Sequence, residues 1–233
     1  MAMDGSKQMT MTSDPSLITN LITNLHDIGC VKFGQFKLKS GLLSPIYIDL
    51  RLLVTHPAVL RQVAQAMAAT MTQLSTVHGP VSPFAKQDVG PGPNAHFDRL
   101  AAIPYAGLPI GVAVSLETGQ PLIYPRKEAK DYGTAKLIEG EYHAGETVLL
   151  VDDLITKGTA KIEALKPLTD AGLIVKDLLV LIDREQGGAA ELAARGITLH
   201  AVFTLTQLLD GLVTSSRLQV AQREAILAWV RTN

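Results

Sequence analysis

The fold of this chain is best predicted from one segment, Val148-Leu-Leu-Val-Asp-Asp-Leu-Ile-Thr-Lys-Gly-Thr-Ala160. Its first four residues are apolar, a pattern typical of a strand that is buried on both faces of a parallel sheet. The carboxylates Asp152 and Asp153 are predicted to end this strand, and a helical pattern then runs from 160 to 171, where Gly172 stops it. A strand, a short polar loop and a helix N-terminus together predict a binding site for a phosphate group.

The loop between the strand and the helix carries the residue types that such a site requires. Backbone N–H groups and the helix dipole favour a dianion, Thr156 and Thr159 add hydroxyl donors, and Gly158 lets the backbone approach closely. Because an ionised carboxylate only accepts hydrogen bonds, Asp152 and Asp153 suit vicinal hydroxyl groups. Phosphate on the loop and a diol on the acids describe a ribose 5-phosphate. The alternative, two aspartates that merely cap a turn, explains the acids but not the hydroxyl-rich loop.

Length and composition limit the classes of protein to consider. The chain has 233 residues, 47% of them hydrophobic and 18% charged, which suits one large α/β domain or two small ones. A formal net charge of -1 argues against a nucleic-acid partner, and the apolar runs are too short for a membrane span. The single cysteine, Cys30, excludes internal disulfides and is typical of the reducing cytoplasm.

Apolar periodicity predicts the other elements. An N-terminal part has a helix at 17–28, paired strands at 31–38 and 44–50, and a helix at 57–74. Strands and helices then alternate, with strands at 100–104, 121–124, 174–182 and 198–203, helices at 108–116 and 189–194, and C-terminal helices through Trp229. This alternation predicts an α/β fold with a doubly wound parallel sheet, whose ligands bind at the carboxyl ends of the strands. We expect a disordered leader at 1–14 and one domain over 15–233, with a small N-terminal hood at 15–55 and a Pro/Gly-rich mobile insertion at 77–97.

Three further blocks carry a resemblance to a known family. They are 32–51, which includes Lys-Ser-Gly-Leu-Leu-Ser-Pro-Ile-Tyr, the loop Arg126-Lys-Glu-Ala-Lys-Asp-Tyr-Gly133, and the turn Asp183-Arg-Glu-Gln-Gly-Gly188. The segment 148–160 resembles the 5-phosphoribosyl-1-pyrophosphate (PRPP) signature of type I phosphoribosyltransferases. In this order, the four blocks are similar to those of the orotate phosphoribosyltransferases and span nearly the whole chain from residue 17.

The resemblance implies an activity, a cofactor and an assembly. The reaction would transfer ribose 5-phosphate from PRPP to orotate, giving orotidine 5'-monophosphate and pyrophosphate in pyrimidine biosynthesis. Mg²⁺ would be held mainly by PRPP and water, without a metal site made of protein ligands. A cationic flap at 126–140 would close over the leaving pyrophosphate and reach into the neighbouring subunit, which implies a homodimer with shared active sites in the cytoplasm.

The resemblance also assigns residues to three sets. Arg126, Lys127, Lys130, Asp153 and Tyr132 would be catalytic. Orotate would contact Tyr47, Ile48, Thr156 and Arg184, where the planar guanidinium suits a carboxylate or an imide face. PRPP would be bound by Lys39, Tyr105, Ala106, Arg126, Lys127, Lys130, Asp152, Asp153, Thr156, Lys157, Gly158, Thr159 and Ala160.

Some positions depart from the family's pattern, and two alternative functions stay open. Many members have histidine at the position of Tyr132, some have lysine at that of Ala106, and a small residue is usual at that of Lys157. One alternative is a phosphoribosyltransferase for a purine or uracil, which would need neither Arg184 nor the block around Lys39. The other is a non-catalytic regulator that senses PRPP; such proteins generally carry a DNA-binding unit and a basic face, and this sequence shows neither.

Overall fold

The computed structural model describes residues 15–38, 41–75, 97–126 and 137–232. The predicted leader and most of the predicted insertion and flap therefore lie outside the described residues. The helices are α1 (Pro15–Asp27), α2 (Pro57–Ser75), α3 (Gly107–Thr118), α4 (Thr159–Asp170), α5 (Gly188–Ala193), α6 (Leu205–Thr214) and α7 (Val220–Thr232), with a 3₁₀ helix at Leu50–Thr55. The strands are β1 (Val31–Lys37), β2 (Leu43–Ile48), β3 (Arg99–Ala102), β4 (Leu122–Pro125), β5 (Ile138–Glu139), β6 (Thr147–Ile155), β7 (Ile174–Asp183) and β8 (Thr198–Thr204).

The central sheet has six strands in the order β5-β4-β3-β6-β7-β8. All neighbouring pairs are parallel except β4 and β5, which form an antiparallel edge. The chain leaves β3 towards β4 on one side and continues through β6 to β8 on the other, so the strand order reverses between β3 and β6. Ligands of doubly wound sheets bind at such a reversal, outside the carboxyl ends of the strands. The predicted fold class is confirmed.

Alternate residues of β6 face two separate apolar clusters, one on each face of the sheet. Leu149 and Val151 pack with residues of α2, α3 and α6, whereas Val148 and Leu150 pack with residues of α4 and α5. All four side chains are fully buried. This two-sided burial explains why the strand is a continuous apolar run rather than an alternating one.

The strand β6 is longer than predicted, and the expectation that Asp152 and Asp153 end it is wrong. Asp152 and Asp153 do not end it, because the ladder with β7 continues through Asp152–Val180 and Leu154–Ile182. The predicted helices and the other predicted strands are present within a few residues. The short β5 and the 3₁₀ helix were not predicted, since elements of two and six residues are too short for a periodic pattern.

The N-terminal elements pack on the sheet domain. β1 and β2 pair antiparallel, as predicted, with an irregularity between Phe33 and Phe36. Leu21, Ile22 and Leu25 of α1 belong to the same buried cluster as residues of α2 and α6. No helix in the described ranges is long and apolar enough to cross a membrane.

Candidate active site

The loop after β3 lies directly against β6 at the point where the strand order reverses. The peptide bond between Pro104 and Tyr105 is cis. A Cβ atom at Gly107 would lie 2.7 Å from Asp152 Oδ1 and 3.2 Å from the Val151 carbonyl oxygen. Real Cβ atoms do not approach other atoms so closely, so only glycine lets this loop seat against the strand.

A pocket of about 680 Å³ opens between this loop and the first turns of α4. It brings together six of the residues predicted to bind the substrates, namely Tyr105, Ala106, Arg126, Asp152, Asp153 and Ala160. Tyr105 is 67% exposed at the mouth of the pocket. The pocket is also lined by Lys161 and Glu163, which the sequence analysis did not single out.

The two acids at the base of this pocket have different surroundings. Asp152 is only 3% exposed, and its Oδ1 accepts a hydrogen bond of 2.8 Å from the backbone N–H of Asp153. Asp153 is more exposed and accepts a hydrogen bond from the backbone of Leu154. Lys161 Nζ donates to Asp152 Oδ2 and lies 3.9 Å from Asp153 Oδ1. Burial raises the pKa of Asp152 above its ordinary value; the ammonium of Lys161 opposes this change, and the charge of Asp153 adds to it.

The loop from 156 to 158 leads into α4 through a left-handed glycine. Gly158 is the N-terminal cap of the helix with φ of 84°, and its carbonyl accepts from the N–H groups of Lys161 and Ile162. No side chain of the described residues caps this helix end. Because the first N–H groups of a helix have no intrahelical acceptors, the turn that starts at Thr159 can offer them to an anion.

The turn after β7 packs against this loop from the other side. The backbone N–H of Arg184 donates to the carbonyl of Ile155 at 3.0 Å. A Cβ atom at Gly188 would lie 2.5 Å from the Thr156 carbonyl oxygen and 2.7 Å from side-chain atoms of Ile155. The structure therefore places Arg184 beside the loop that contains Thr156, although Arg184 is not among the residues that line the pocket.

Two side chains fix the conformation of this turn. Asp183 Oδ1 accepts from the backbone of Glu185, which has a positive φ of 58°. Glu185 Oε2 in turn accepts from both the backbone N–H and the hydroxyl of Thr206, at 2.7 and 2.6 Å. A non-glycine residue in the left-handed region is uncommon, so these bonds hold a conformation that is otherwise unfavourable.

The side chain of Arg184 is largely buried, with an unusual feature. Its Nε is shielded from solvent and has no hydrogen-bond acceptor among the residues that the structure describes. Burial lowers the pKa of this guanidinium. Since buried donors nearly always have a partner, an Nε without an acceptor among the described residues, next to the loop that leads into α4, is compatible with an acidic ligand.

Seven other predicted residues that the structure describes do not line the pocket: Tyr47, Ile48, Thr156, Lys157, Gly158, Thr159 and Arg184. The Tyr47 hydroxyl accepts from Arg51 at 3.2 Å and the Tyr47 ring stacks on Phe36, whereas Ile48 packs against the core. Arg126 does line the pocket, but its guanidinium donates to Glu139 Oε1 at 2.8 Å. The predicted side chains Lys39, Lys127, Lys130 and Tyr132 lie outside the described residues.

The chain was compared with known proteins. No family model matches it. It is 36% identical over 216 residues to an orotate phosphoribosyltransferase of Caenorhabditis elegans, covering 93% of this chain and 87% of that protein. It is also 36% identical to bovine uridine 5'-monophosphate synthase over 96% of its own length, but it spans only 42% of that relative. The crystal structure of orotate phosphoribosyltransferase from Aeropyrum pernix superimposes with a TM-score of 0.65 and 30% identity, covering 83% of this chain and 98% of that one.

Proposed function

The chain belongs to the orotate phosphoribosyltransferase family, and from this premise we propose that it transfers ribose 5-phosphate from PRPP to orotate. The products are orotidine 5'-monophosphate and pyrophosphate, which is the pyrimidine-forming reaction of the family. One observation carries the proposal: the carboxylate pair, the open N-terminus of α4 and the turn of Arg184 meet at the reversal of the strand order. Each group suits one part of the two substrates.

The sugar phosphate is bound by the segment from Asp152 to Ala160. The N–H groups at the start of α4 and the hydroxyls of Thr156 and Thr159 donate hydrogen bonds to the 5'-phosphate. Because backbone N–H groups do not depend on the side chain, the unusual Lys157 does not prevent this binding. Asp152 and Asp153 accept hydrogen bonds from the ribose hydroxyls. The exposed Tyr105 and the backbone next to Ala106 face the pyrophosphate across the same pocket.

The transfer itself needs no protein nucleophile. Orotate N1 bonds to the anomeric carbon and releases its proton to water, while the bond from that carbon to the pyrophosphate oxygen breaks, so positive charge develops on the sugar. Asp153, the more exposed acid, stabilises this charge, and Arg126 with Lys127 and Lys130 of the flap takes the charge on the leaving group. Tyr132 donates a hydrogen bond to the same group. The roles of these flap residues rest on the resemblance of 126–133 to the family's catalytic loop.

Arg184 selects the base. Its buried guanidinium, with an Nε that lacks an acceptor among the described residues, suits the carboxylate of orotate or an imide edge. The neighbouring Thr156 contacts the same ring. The roles of Tyr47 and Ile48 at the base and of Lys39 at the pyrophosphate rest on the resemblance to the family, since Tyr47 and Ile48 do not line the pocket and Lys39 lies outside the described residues.

Mg²⁺ is part of the proposal as a cofactor carried by the substrate. Within the described ranges, no group of three or more histidine, cysteine, aspartate or glutamate side chains could hold a metal ion, and Asp152 is already engaged by Lys161. We propose that the ion is held by pyrophosphate oxygens and water, because Mg²⁺ prefers to keep part of its hydration shell. The ion would supply neutralising charge to the leaving group.

The assembly that we propose is a cytoplasmic homodimer with shared active sites. Helix α3 carries apolar residues on both its inner and its outer face: Ile110 and Val114 are buried against the sheet, whereas Val112 and Leu116 are 47% and 82% exposed. Two large apolar side chains exposed one helical turn apart are expected to be covered by a partner. A second copy of the chain would cover the outer face, next to the loop of Tyr105.

A base-specificity assay tests the function. The purified chain is incubated with PRPP and Mg²⁺ in the presence of orotate, uracil, hypoxanthine or adenine, and the nucleotide product is quantified. We expect product from orotate alone. Turnover of another base would favour a different phosphoribosyltransferase, and binding of PRPP without turnover of any base would favour a sensor.

A further inference from the structure

Lys161 is a largely buried cation in the first turn of α4. Its side chain is 13% exposed. The ammonium donates a hydrogen bond to Asp152 and lies 3.9 Å from the nearer oxygen of Asp153, so it contacts both acids of the sugar site. It lines the same pocket as Ala106 and Arg126.

The surroundings of the two acids explain why a cation is needed there. Asp152 loses hydration in its buried position and is repelled by the charge of Asp153, so both effects favour protonation of Asp152. The other ionisable groups that line the pocket are Tyr105 from the loop after β3, Arg126 after β4, and Glu163, Lys166 and Asp170 from α4, of which the last two pair with each other. Arg126 is already paired with Glu139. Among the described residues, Lys161 is thus the cation that bonds directly to the pair.

We propose that Lys161 is a positioning residue, a resident counter-ion that keeps the two acids ionised and oriented in the free enzyme. The inference rests on the proposed function, and it assigns Lys161 a second position in the bound state. When the ribose diol donates its hydrogen bonds to the carboxylates, the ammonium gives up Asp152 and turns to phosphate oxygens of PRPP. The wall of the pocket at Ala106 has no charged side chain, so Lys161 supplies positive charge to the pyrophosphate from the facing wall, which α4 forms.

The two states predict different pH profiles for kcat/KM and kcat. The ratio kcat/KM for PRPP reports ionisations of the free enzyme, where Lys161 holds the acids, whereas kcat reports the complex, where the diol has replaced it. In Lys161→Met the acidic limb of kcat/KM should move up by about one pH unit or more, because an opposite charge at this distance has that effect. The acidic limb of kcat should stay in place, and Lys161→Arg should retain the wild-type profile.

Two further variants separate this role from a structural one. Lys161→Gln keeps a hydrogen-bond donor without the charge, and should show the same shifted limb as Lys161→Met even if the latter folds poorly. Lys176→Met removes an exposed lysine of β7 and should leave both profiles unchanged. If the Lys161 variants lose stability or turnover while the limb of kcat/KM stays at the wild-type pH, the counter-ion role is wrong.

A titration without substrate distinguishes failure of this inference from failure of the proposed function. Carboxyl ¹³C resonances of Asp152 and Asp153 are followed against pH in the ligand-free protein and in Lys161→Gln. We expect at least one midpoint to rise by about one unit in the variant. Unchanged titration midpoints of both acids would overturn the role of Lys161, even if the protein is an active transferase. A raised midpoint would support this role, even if the protein does not convert orotate.

Discussion

Two glycines determine how closely the loops of the active site approach each other. Gly107 lets the loop after β3 reach Asp152, and Gly188 lets the turn after β7 reach Thr156. Both have ordinary negative φ values, so neither is required by a left-handed backbone. The requirement is space, because a Cβ atom at either position would meet backbone or side-chain atoms at 2.5 to 2.7 Å.

The substitution Gly188→Ala should displace the phosphate loop. The new methyl group would push on the Thr156 carbonyl, and a shift of about 1 Å in a positioning loop can cost a hundredfold in rate. We expect the KM for PRPP to rise by at least about tenfold. Steady-state kinetics measures the effect.

Gly196→Ala beyond the other end of α5 is the matched control. It strains a backbone with φ of 74°, but no atom lies within 4 Å of the added Cβ. It should lower the melting temperature and leave the KM unchanged. Equal values of KM for wild type and Gly188→Ala would show that the loop tolerates the displacement.

Some residues of the candidate site could be predicted from the sequence, and others could not. Asp152, Asp153 and Thr156 could be singled out because they follow a continuous apolar run and precede a helical pattern. Lys161 and Glu185 could not, since their partners are set by how α4 and the turn after β7 fold back. The partner of Glu185 is 21 residues away. In the sequence, a buried lysine in the first turn of a helix cannot be distinguished from a lysine that is exposed to solvent.

The strands β3 and β6 are joined at their amino ends by a buried ion pair. Arg99 donates two hydrogen bonds to the carboxylate of Glu146, and the two side chains are only 16% and 4% exposed. Burial favours the neutral form of Glu146, but the hydrogen bonds from Arg99 and from the backbone N–H of His143, together with the charge of Arg99, outweigh it and lower the pKa. This pair lies at the opposite edge of the sheet from the active site.

Glu146→Gln should destabilise the fold without changing the KM for either substrate. Removing one partner of a buried pair leaves the other charge uncompensated, and we expect a loss of about 3 kcal/mol in the free energy of unfolding. Urea denaturation at pH 7 measures it. The matched change Glu191→Gln, in an exposed pair on α5, should have little effect.

The loss of stability caused by Glu146→Gln should depend on pH in one direction. Because the folded-state pKa of Glu146 lies below its ordinary value of 4.5, its contribution is complete above that pH and disappears as the pH falls through the folded-state value. The difference between wild type and Glu146→Gln should therefore shrink in acid. A difference that grows below pH 4.5, or none at pH 7, would contradict the role of the pair.

Most elements could be predicted because their apolar patterns are long and regular. The continuous run at 148–151 indicated a strand buried on both sides, and the structure has it. The end of that strand was placed too early, since Asp152 is polar in type but buried in position. A hydrophobicity pattern depends only on residue type, whereas the hydrogen bonds between β6 and β7 determine where the strand ends.

The whole molecule is expected to act as a dimer through the outer face of α3. Leu116→Glu places a charge on the exposed apolar face. Association of two chains through this face would remove water from the charge, and the cost of doing so would oppose dimer formation. We expect sedimentation velocity to give a monomer for this variant and a dimer for the wild type. Val220→Glu, at another exposed apolar residue, is the control and should remain dimeric. A dimeric Leu116→Glu would exclude this face as the interface.

Shared active sites can be tested by mixing two inactive variants. Lys130→Ala removes a flap cation and Arg184→Ala removes the base-binding side chain, so each homodimer should be nearly inactive. If the flap of one subunit completes the site of the other, mixed dimers contain one intact site, and mixing should restore part of the activity. No recovery after subunit exchange would mean that each chain completes its own site.

The central claim is that the edge formed by 152–160 binds an activated ribose phosphate. Calorimetric titration of PRPP with Mg²⁺ into the wild type and into Asp153→Asn tests it most directly. We predict one PRPP bound per chain in the wild type and binding weaker by roughly tenfold or more in the variant, as for the loss of a hydrogen bond to a charged group. Absence of binding heat in the wild type, or equal affinity in the two proteins, would contradict the claim.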